Sequence, residues 1–252
     1  MASGSPTEGR RSKAGTWVPL LGLAWGLGGI AALAVSAVGY RLAWWPVTTA
    51  LGVAEYGAYA AILGVVLSLA GLVLALRRRA ARSSLLALLG LIFALPLVAM
   101  AAHWEYAGRH YPPINDISTD TADPPVFWDM PNPGEYPGGA VAEQQRAAYP
   151  DLAPLALDIA PERAFALALA IARNNGWEIV AEAAEEGRIE AVATSFLYGF
   201  EDEVVIHIEP TDSGAVADLR SRSRLGRLDR GVNAARIRGF LAELRERAAR
   251  EN

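Results

Sequence analysis

Two stretches of the 252-residue chain gather side chains whose types and spacing could do chemistry. The first is Pro112-Pro113-Ile114-Asn115-Asp116-Ile117-Ser118-Thr119-Asp120-Thr121-Ala122-Asp123-Pro124-Pro125. Its Asp116, Asp120 and Asp123 offer hard oxygen ligands to a cation. Their spacing is not that of a calcium loop, and Asp, Asn, Ser and Thr also close local turns through their own side chains. The second stretch runs from Asp218 to Arg238. Read as a strand, it places Asp218, Arg220, Arg222 and Arg224 on one face and Leu219, Ser221 and Ser223 on the other. It leads through a glycine-containing loop to a helix start near Asp229–Asn233. Arg220, Ser221, Arg222, Ser223, Arg224, Asn233 and Arg236 therefore form a candidate site for a phosphate or carboxylate. The bland reading of the same arginines is ion pairing with Glu178, Glu182, Glu190 and Glu209 on neighbouring strands.

Charge bears on that choice. Residues 1–102 carry a net charge of +6, residues 103–252 one of −10. The excess of acid around the arginines favours pairing, and an acidic second half excludes a general nucleic-acid binder, which needs a broad basic surface. With no cysteine in the chain, disulfides, thiolate–zinc sites, iron–sulfur clusters and cysteine nucleophiles are excluded. No phosphate-binding glycine loop, dinucleotide fingerprint, zincin helix or nucleophile elbow is present. Of the three histidines, His103 and His110 flank the junction of the two halves, and His207 stands alone on a strand, where histidine is usually structural. No catalytic residue is assigned and no cofactor is expected.

The first half is built for a bilayer. Trp17 to Tyr40, Tyr56 to Leu76 and Ser83 to Ala102 are free of charge, and each meets the roughly 20 residues a helix needs to cross a hydrocarbon core of ~30 Å. In lipid the backbone must satisfy itself, so helices are expected. Trp17, Trp44, Trp45, Tyr56 and Trp104 fall at the ends, where aromatic rings favour the interface. Arg10, Arg11 and Lys13 precede the first run, and Arg77, Arg78, Arg79 and Arg82 separate the second from the third. These flanks put residues 1–15 in the cytoplasm, the three-helix region at 16–102, and everything beyond on the extracytoplasmic side of a bacterial inner membrane. The first run is longer than the apolar core of a signal peptide and is read as retained. Pro46 interrupts residues 42–54, which read as a short interfacial segment. Gly22 and Gly26, with Ala24, Gly28, Ala32 and Ser36, form stripes of small residues suited to packing among the chain's own helices or to dimerisation. The absence of charge within the runs argues against a transporter.

Residues 103–154 hold nine of the fifteen prolines together with seven aromatic residues. Proline there speaks against a regular helix, and the aromatic content against plain disorder. Parts of this segment are expected to lie extended across the following domain, with Gly134 to Gln145 its most mobile portion. From residue 155 the pattern becomes regular. It predicts a helix from Pro161 to Asn174, strands at 177–183, 188–197, 204–209 and 215–224, and a final helix at about 232–250. A short extra strand fits at Ala156–Ile159. Short turns between successive strands require antiparallel pairing. The fold class is thus an α-helical transmembrane anchor followed by an α+β two-layer sandwich, a four-stranded antiparallel meander flanked by two helices.

Several of these motifs carry a resemblance. Pro113 to Asp120, Gly187-Arg188-Ile189-Glu190-Ala191, Gly199-Phe200-Glu201-Asp202-Glu203-Val204-Val205-Ile206 and Arg220-Ser221-Arg222-Ser223-Arg224-Leu225-Gly226, followed by Asn233 and Arg236-Ile237, occur in order. Over roughly residues 110–245 the chain resembles domain-of-unknown-function family 1499, and the three-helix region resembles the variable anchor of some bacterial members. The resemblance implies no established reaction or ligand. The expected function is that of a non-catalytic binding or assembly module held at the membrane, with the lipid bilayer and a membrane or periplasmic protein as partners. The alternatives are a hydrolase using Asp116, Asp120 and His207 with an anion or metal, and a structural subunit of a membrane complex.

Overall fold

The computed structural model describes residues 14–131 and 134–251, which form two compact units dividing between Trp104 and Glu105. Arg10, Arg11 and Lys13, part of the orientation argument, lie outside the described residues.

The first unit is built from helices α1 (Ala14–Arg41), α2 (Val47–Arg77) and most of α3 (Ala81–His110), all three long and apolar enough to cross a membrane. Residues 42–54, expected as a separate interfacial segment, are not one continuous piece. Pro46 occupies the N-cap position of α2 with an extended backbone, and residues from Val47 onward are helical. Proline just ahead of a helix costs no hydrogen bond, because the first N–H groups have no intrahelical acceptor. Small residues set the helix spacing. A Cβ placed on Gly64 of α2 would stand 2.7 Å from the backbone nitrogen of Gly26 on α1, and one on Gly26 would meet the Gly90 carbonyl of α3 at 3.1 Å. Gly22 and Gly26 therefore pack among the chain's own helices. Ser36, in the second stripe, is buried and donates to the Ala50 carbonyl at 2.5 Å, whereas Gly28 looks onto open space.

The second unit holds a six-stranded antiparallel sheet. Strands β3 (Glu178–Ala183), β4 (Arg188–Thr194), β5 (Glu201–Thr211) and β6 (Gly214–Ser223) form the expected meander. Two short strands, β1 (Asp116–Ser118) from the proline-rich segment and β2 (Leu155–Leu157) directly after it, pair one after the other along the free edge of β6. That edge would otherwise present unpaired N–H and C=O groups. On one face the alternating residues Ile189, Val204, Ile206, Ile208, Leu219 and Ile117 meet α5 (Pro161–Asn174) and α6 (Val232–Ala248), whose Phe165, Ile171, Ile237, Phe240 and Leu244 complete the core. Burial of such side chains stabilises the fold by roughly 1.5–3 kcal/mol each. Gly187 closes the β3–β4 turn in the left-handed region at φ 64°, and any side chain there would run into the Ile208 carbonyl.

Three expectations are corrected here. The proline-rich segment was expected to exclude regular helix, yet α3 continues through His110, and α4 (Gly139–Ala148) occupies much of the stretch expected to be most mobile. Helix α4 lies between Pro137 and Pro150, so no proline interrupts its ladder. It is held by Gln145, which is 2 % exposed and exchanges two hydrogen bonds with the backbone of Ser118 on β1. Strand β5 begins at Glu201, three residues before the apolar alternation does, because Asp202 and Glu203 are both buried by ion pairs. Strand β4 ends at Thr194 instead of 197, where the tight Ser195–Phe200 turn takes over.

Candidate functional site

The face of the sheet opposite the helices carries Arg188 and Glu190 on β4, Glu203 on β5, Arg220 and Arg222 on β6, and Asp116 on β1. Strand alternation puts all of them on that side. Residues 124–131 cross this face as a strap, continued by Gly134–Tyr136, and seat Phe127 and Met130 against Val192 and Val205. Charge–backbone contacts fasten it. Glu190, fully buried, accepts the backbone N–H groups of Trp128 at 2.6 Å and Asp129 at 3.1 Å, and pairs with Arg188 at 2.5 Å. Arg220, 1 % exposed, binds Asp116 through two parallel hydrogen bonds of 2.9 and 2.8 Å and donates to the Pro125 and Gly134 carbonyls. Its guanidinium lies 5.0 Å from the Phe127 ring centroid and 5.5 Å from that of Tyr136. Burial, then the Asp116 carboxylate, pushes the Tyr136 hydroxyl up to about 12. That hydroxyl donates to Gln145 at 3.0 Å, tying the strap to α4.

The seven residues of the anion candidate do not converge. Arg220, Arg222 and Arg224 face the strap, while Ser221, Ser223, Asn233 and Arg236 lie on the helix side. Arg222 and Arg224 share Glu203, and Arg224 also pairs with Glu201. Of the four expected carboxylate partners, none is the one used: Glu190 serves Arg188, Glu182 pairs with Arg173, and Glu209 sits beside His207. On the helix side Asn233 is fully buried. Its amide oxygen accepts a hydrogen bond from the Ser221 hydroxyl at 2.8 Å, and its amide nitrogen donates to Ser223 at 3.0 Å and to the Asn115 carbonyl at 2.9 Å. Arg236 binds Ser221, Asn233 and Asp202. The N-terminus of α6, which could have met an anion, is already met by Asp229, whose carboxylate accepts the Gly231 and Asn233 N–H groups. Burial holds that carboxyl above its ordinary range.

The three aspartates of the cation candidate are likewise separated in role. Asp116 is committed to Arg220, and Asp120 accepts the backbone N–H groups of Ala122 and Asp123 in a local turn. Asp123 alone reaches an open site. Among the described residues no three His, Asp or Glu side chains form a group that could hold a metal ion.

The open site that Asp123 reaches is a groove of about 220 Å³ at the far end of the strap. Its floor is Val205, His207 and Asp218, its walls are Pro124, Pro125 and Arg188, and Trp128, Glu186 and Glu209 stand around it. His207 and Asp218 are direct cross-strand partners, and His207 Nδ1 lies 3.2 Å from a Glu209 oxygen. Burial pushes the Asp218 carboxyl up to about 6, with the Asp120 charge adding to it and the hydrogen bond from the Thr119 hydroxyl opposing it. Trp128 is 69 % exposed although its backbone is locked to Glu190. Carboxylates beside an exposed indole on an anchored backbone are suited to receive a cation with an apolar body. Residue spacing did not reveal this site. The sequence cue was the aromatic pair Phe127-Trp128 directly after Pro124-Pro125, an apolar investment that a plain linker does not need.

A family described as "Protein of unknown function (DUF1499)" matches residues 116–244, just over half of the chain, and the chain belongs to that family. The match runs from β1 into α6 and leaves out the three long apolar helices. No curated protein matches the chain.

Asp218 binds its proton more tightly in the folded than in the unfolded chain. Its contribution to stability is therefore complete below about pH 4 and is lost as pH rises through about 6. Asp218→Asn keeps the oxygen that accepts from Thr119 and removes the titration. The stability of the variant relative to wild type, from denaturation at a series of pH values, is expected to increase between pH 4 and pH 7. A difference independent of pH contradicts the assignment.

Proposed function

We propose that this DUF1499 member is a multi-pass protein of a bacterial inner membrane that presents its folded domain on the extracytoplasmic side as a non-catalytic binding module. The groove at Trp128, His207 and Asp218 takes a cationic side chain or amine of a membrane or periplasmic partner protein. Arginine-rich flanks before the first helix and between the second and third support the orientation, since basic loops stay in the cytoplasm. One observation carries the binding reading: the backbone of the exposed Trp128 is held at the groove by its own N–H and that of Asp129, both donated to the buried Glu190. A backbone anchored before the partner arrives loses little freedom on binding, which favours recognition. The hydrolase reading has less beneath it, because of its three residues Asp116 is sealed under the strap by Arg220, Asp120 closes a local turn, and His207 alone lines the groove.

Orientation is tested by fusing reporters after Glu251: one active only outside the cytoplasm is expected to be active, and one active only inside is expected to be silent. The reverse pattern overturns the topology. Binding is tested with the full chain in detergent micelles, titrated with a lysine-rich peptide and followed by calorimetry. Trp128→Ala is expected to weaken binding about fivefold, the scale of one cation–π contact. Equal affinity of variant and wild type removes the groove from the account.

A further inference from the structure

The end of the sheet opposite the groove carries a second exposed feature. Between β4 and β5 the chain reads Ser195-Phe196-Leu197-Tyr198-Gly199-Phe200. Phe196 is 94 % exposed, more than any other large apolar side chain described. The turn is nevertheless well formed. Ser195 exchanges backbone hydrogen bonds with Phe200 and Gly199, its hydroxyl accepts the Phe200 N–H, and the Tyr198 and Phe200 rings stack at 5.1 Å. Strand register brings a second loop beside it: Asp202 pairs with Ser223, and Arg224 donates its N–H to the Glu201 carbonyl. That second loop offers Leu225, 48 % exposed, and the exposed Arg227.

This is also the end at which the chain arrives from the last helix. Asn115 donates its side-chain amide to the Gly226 carbonyl at 2.7 Å and to the Ser223 carbonyl at 3.4 Å. The last uncharged run ends at Ala102, and α3 stays helical to His110. Twelve residues, 103–114, join that run to Asn115, eight of them in α3, so at most about 30 Å of chain separates the two. Tyr106 and Tyr111, both exposed, lie along that stretch, as aromatic rings do at the level of lipid headgroups.

We propose that the Phe196 turn and the Leu225–Arg227 loop form a membrane-contact surface, by which the domain rests on the bilayer that its own helices span. The proposal rests on the membrane-anchored reading above but not on which side of the membrane the domain occupies. A phenylalanine 94 % exposed in a hydrogen-bonded turn, an adjacent leucine and a nearby arginine supply what an interfacial anchor uses: apolar side chains for the acyl boundary and a cation for anionic headgroups.

The chain contains no cysteine, so a single introduced thiol labels one position alone. Spin labels are placed by Leu225→Cys, by Leu63→Cys on the exposed side of α2, and by Asp212→Cys in the hairpin at the opposite end of the sheet. Each is read in nanodiscs of phosphatidylcholine and phosphatidylglycerol holding one copy of the full chain. The label at position 225 is expected to be shielded from a water-soluble nickel chelate at least about threefold relative to the label at 212. Adding Phe196→Asp is expected to remove most of that shielding. Equal accessibility at 225 and 212, with the label at 63 embedded, overturns the proposal while leaving the anchor intact. A water-exposed label at 63 instead overturns the anchored reading. Shielding at 225 that appears only with two copies in a disc assigns the surface to self-association and equally overturns the lipid contact.

Discussion

The second unit depends on one expensive arrangement, the burial of charge on the outer face of its sheet. Taking a guanidinium and a carboxylate out of water costs several kcal/mol per ion, and only near-ideal geometry offsets it. Arg220 has that geometry: a bidentate pair with Asp116, two backbone carbonyls, and an aromatic ring near its guanidinium on the strap and another beyond it. Each contact comes from the proline-rich segment, so the arginine cannot be satisfied until that segment is in place. The 104 residues separating Arg220 from Asp116 are thereby tied together by a requirement of electrostatics, with β1 and the strap as its consequence.

Glu190 repeats the arrangement with opposite sign. It takes two N–H groups of the strap and the guanidinium of Arg188, which itself reaches Asp129 on the strap and Glu186 at the turn. Between these two anchors Phe127 fills the space over Val192 and Val205, so apolar burial and ion pairing reinforce one another. The result divides the domain by role. Most of its arginines on this face are consumed in holding the strap, and what stays open to solvent is left at the two ends of the sheet. One end carries carboxylates, a histidine and a tryptophan, the other an aromatic turn with a leucine and an arginine.

How much of this was legible in the sequence follows from the range of the forces involved. The membrane helices were plain because lipid imposes one local rule, an uncharged run of sufficient length. The meander and its two covering helices were plain because the periods of Val204–Ile208 and Ile237–Leu244 are local. The expected partners of the arginine strand were wrong for a traceable reason. Glu201, Asp202 and Glu203 look like a turn, and only if β5 starts at Glu201 does the register put Glu203 opposite Arg222. Asp116, spaced like a cation ligand, found its positive charge within the chain. Helix α4 was hidden because prolines on both sides masked a stretch that contains none, and because its anchor, the bonding of Gln145 to Ser118 on β1, is a long-range contact. The groove was illegible for the same reason: its lining comes from the strap, β4, β5 and β6, brought together by buried pairs that no spacing encodes.

The buried Arg220–Asp116 pair is the most direct point at which to test whether ion pairing fastens the strap. Chemical denaturation of the full chain in detergent would compare Arg220→Met, Asp116→Leu and the double variant with wild type. Arg220→Met leaves a carboxylate buried without its partner and is expected to cost about 3–5 kcal/mol, whereas the double variant, which buries no charge at this position, is expected to recover most of that loss. A loss below about 1 kcal/mol for the single variant, as for a solvent-screened surface pair, would contradict the account. A double variant no more stable than the single one would contradict it as well.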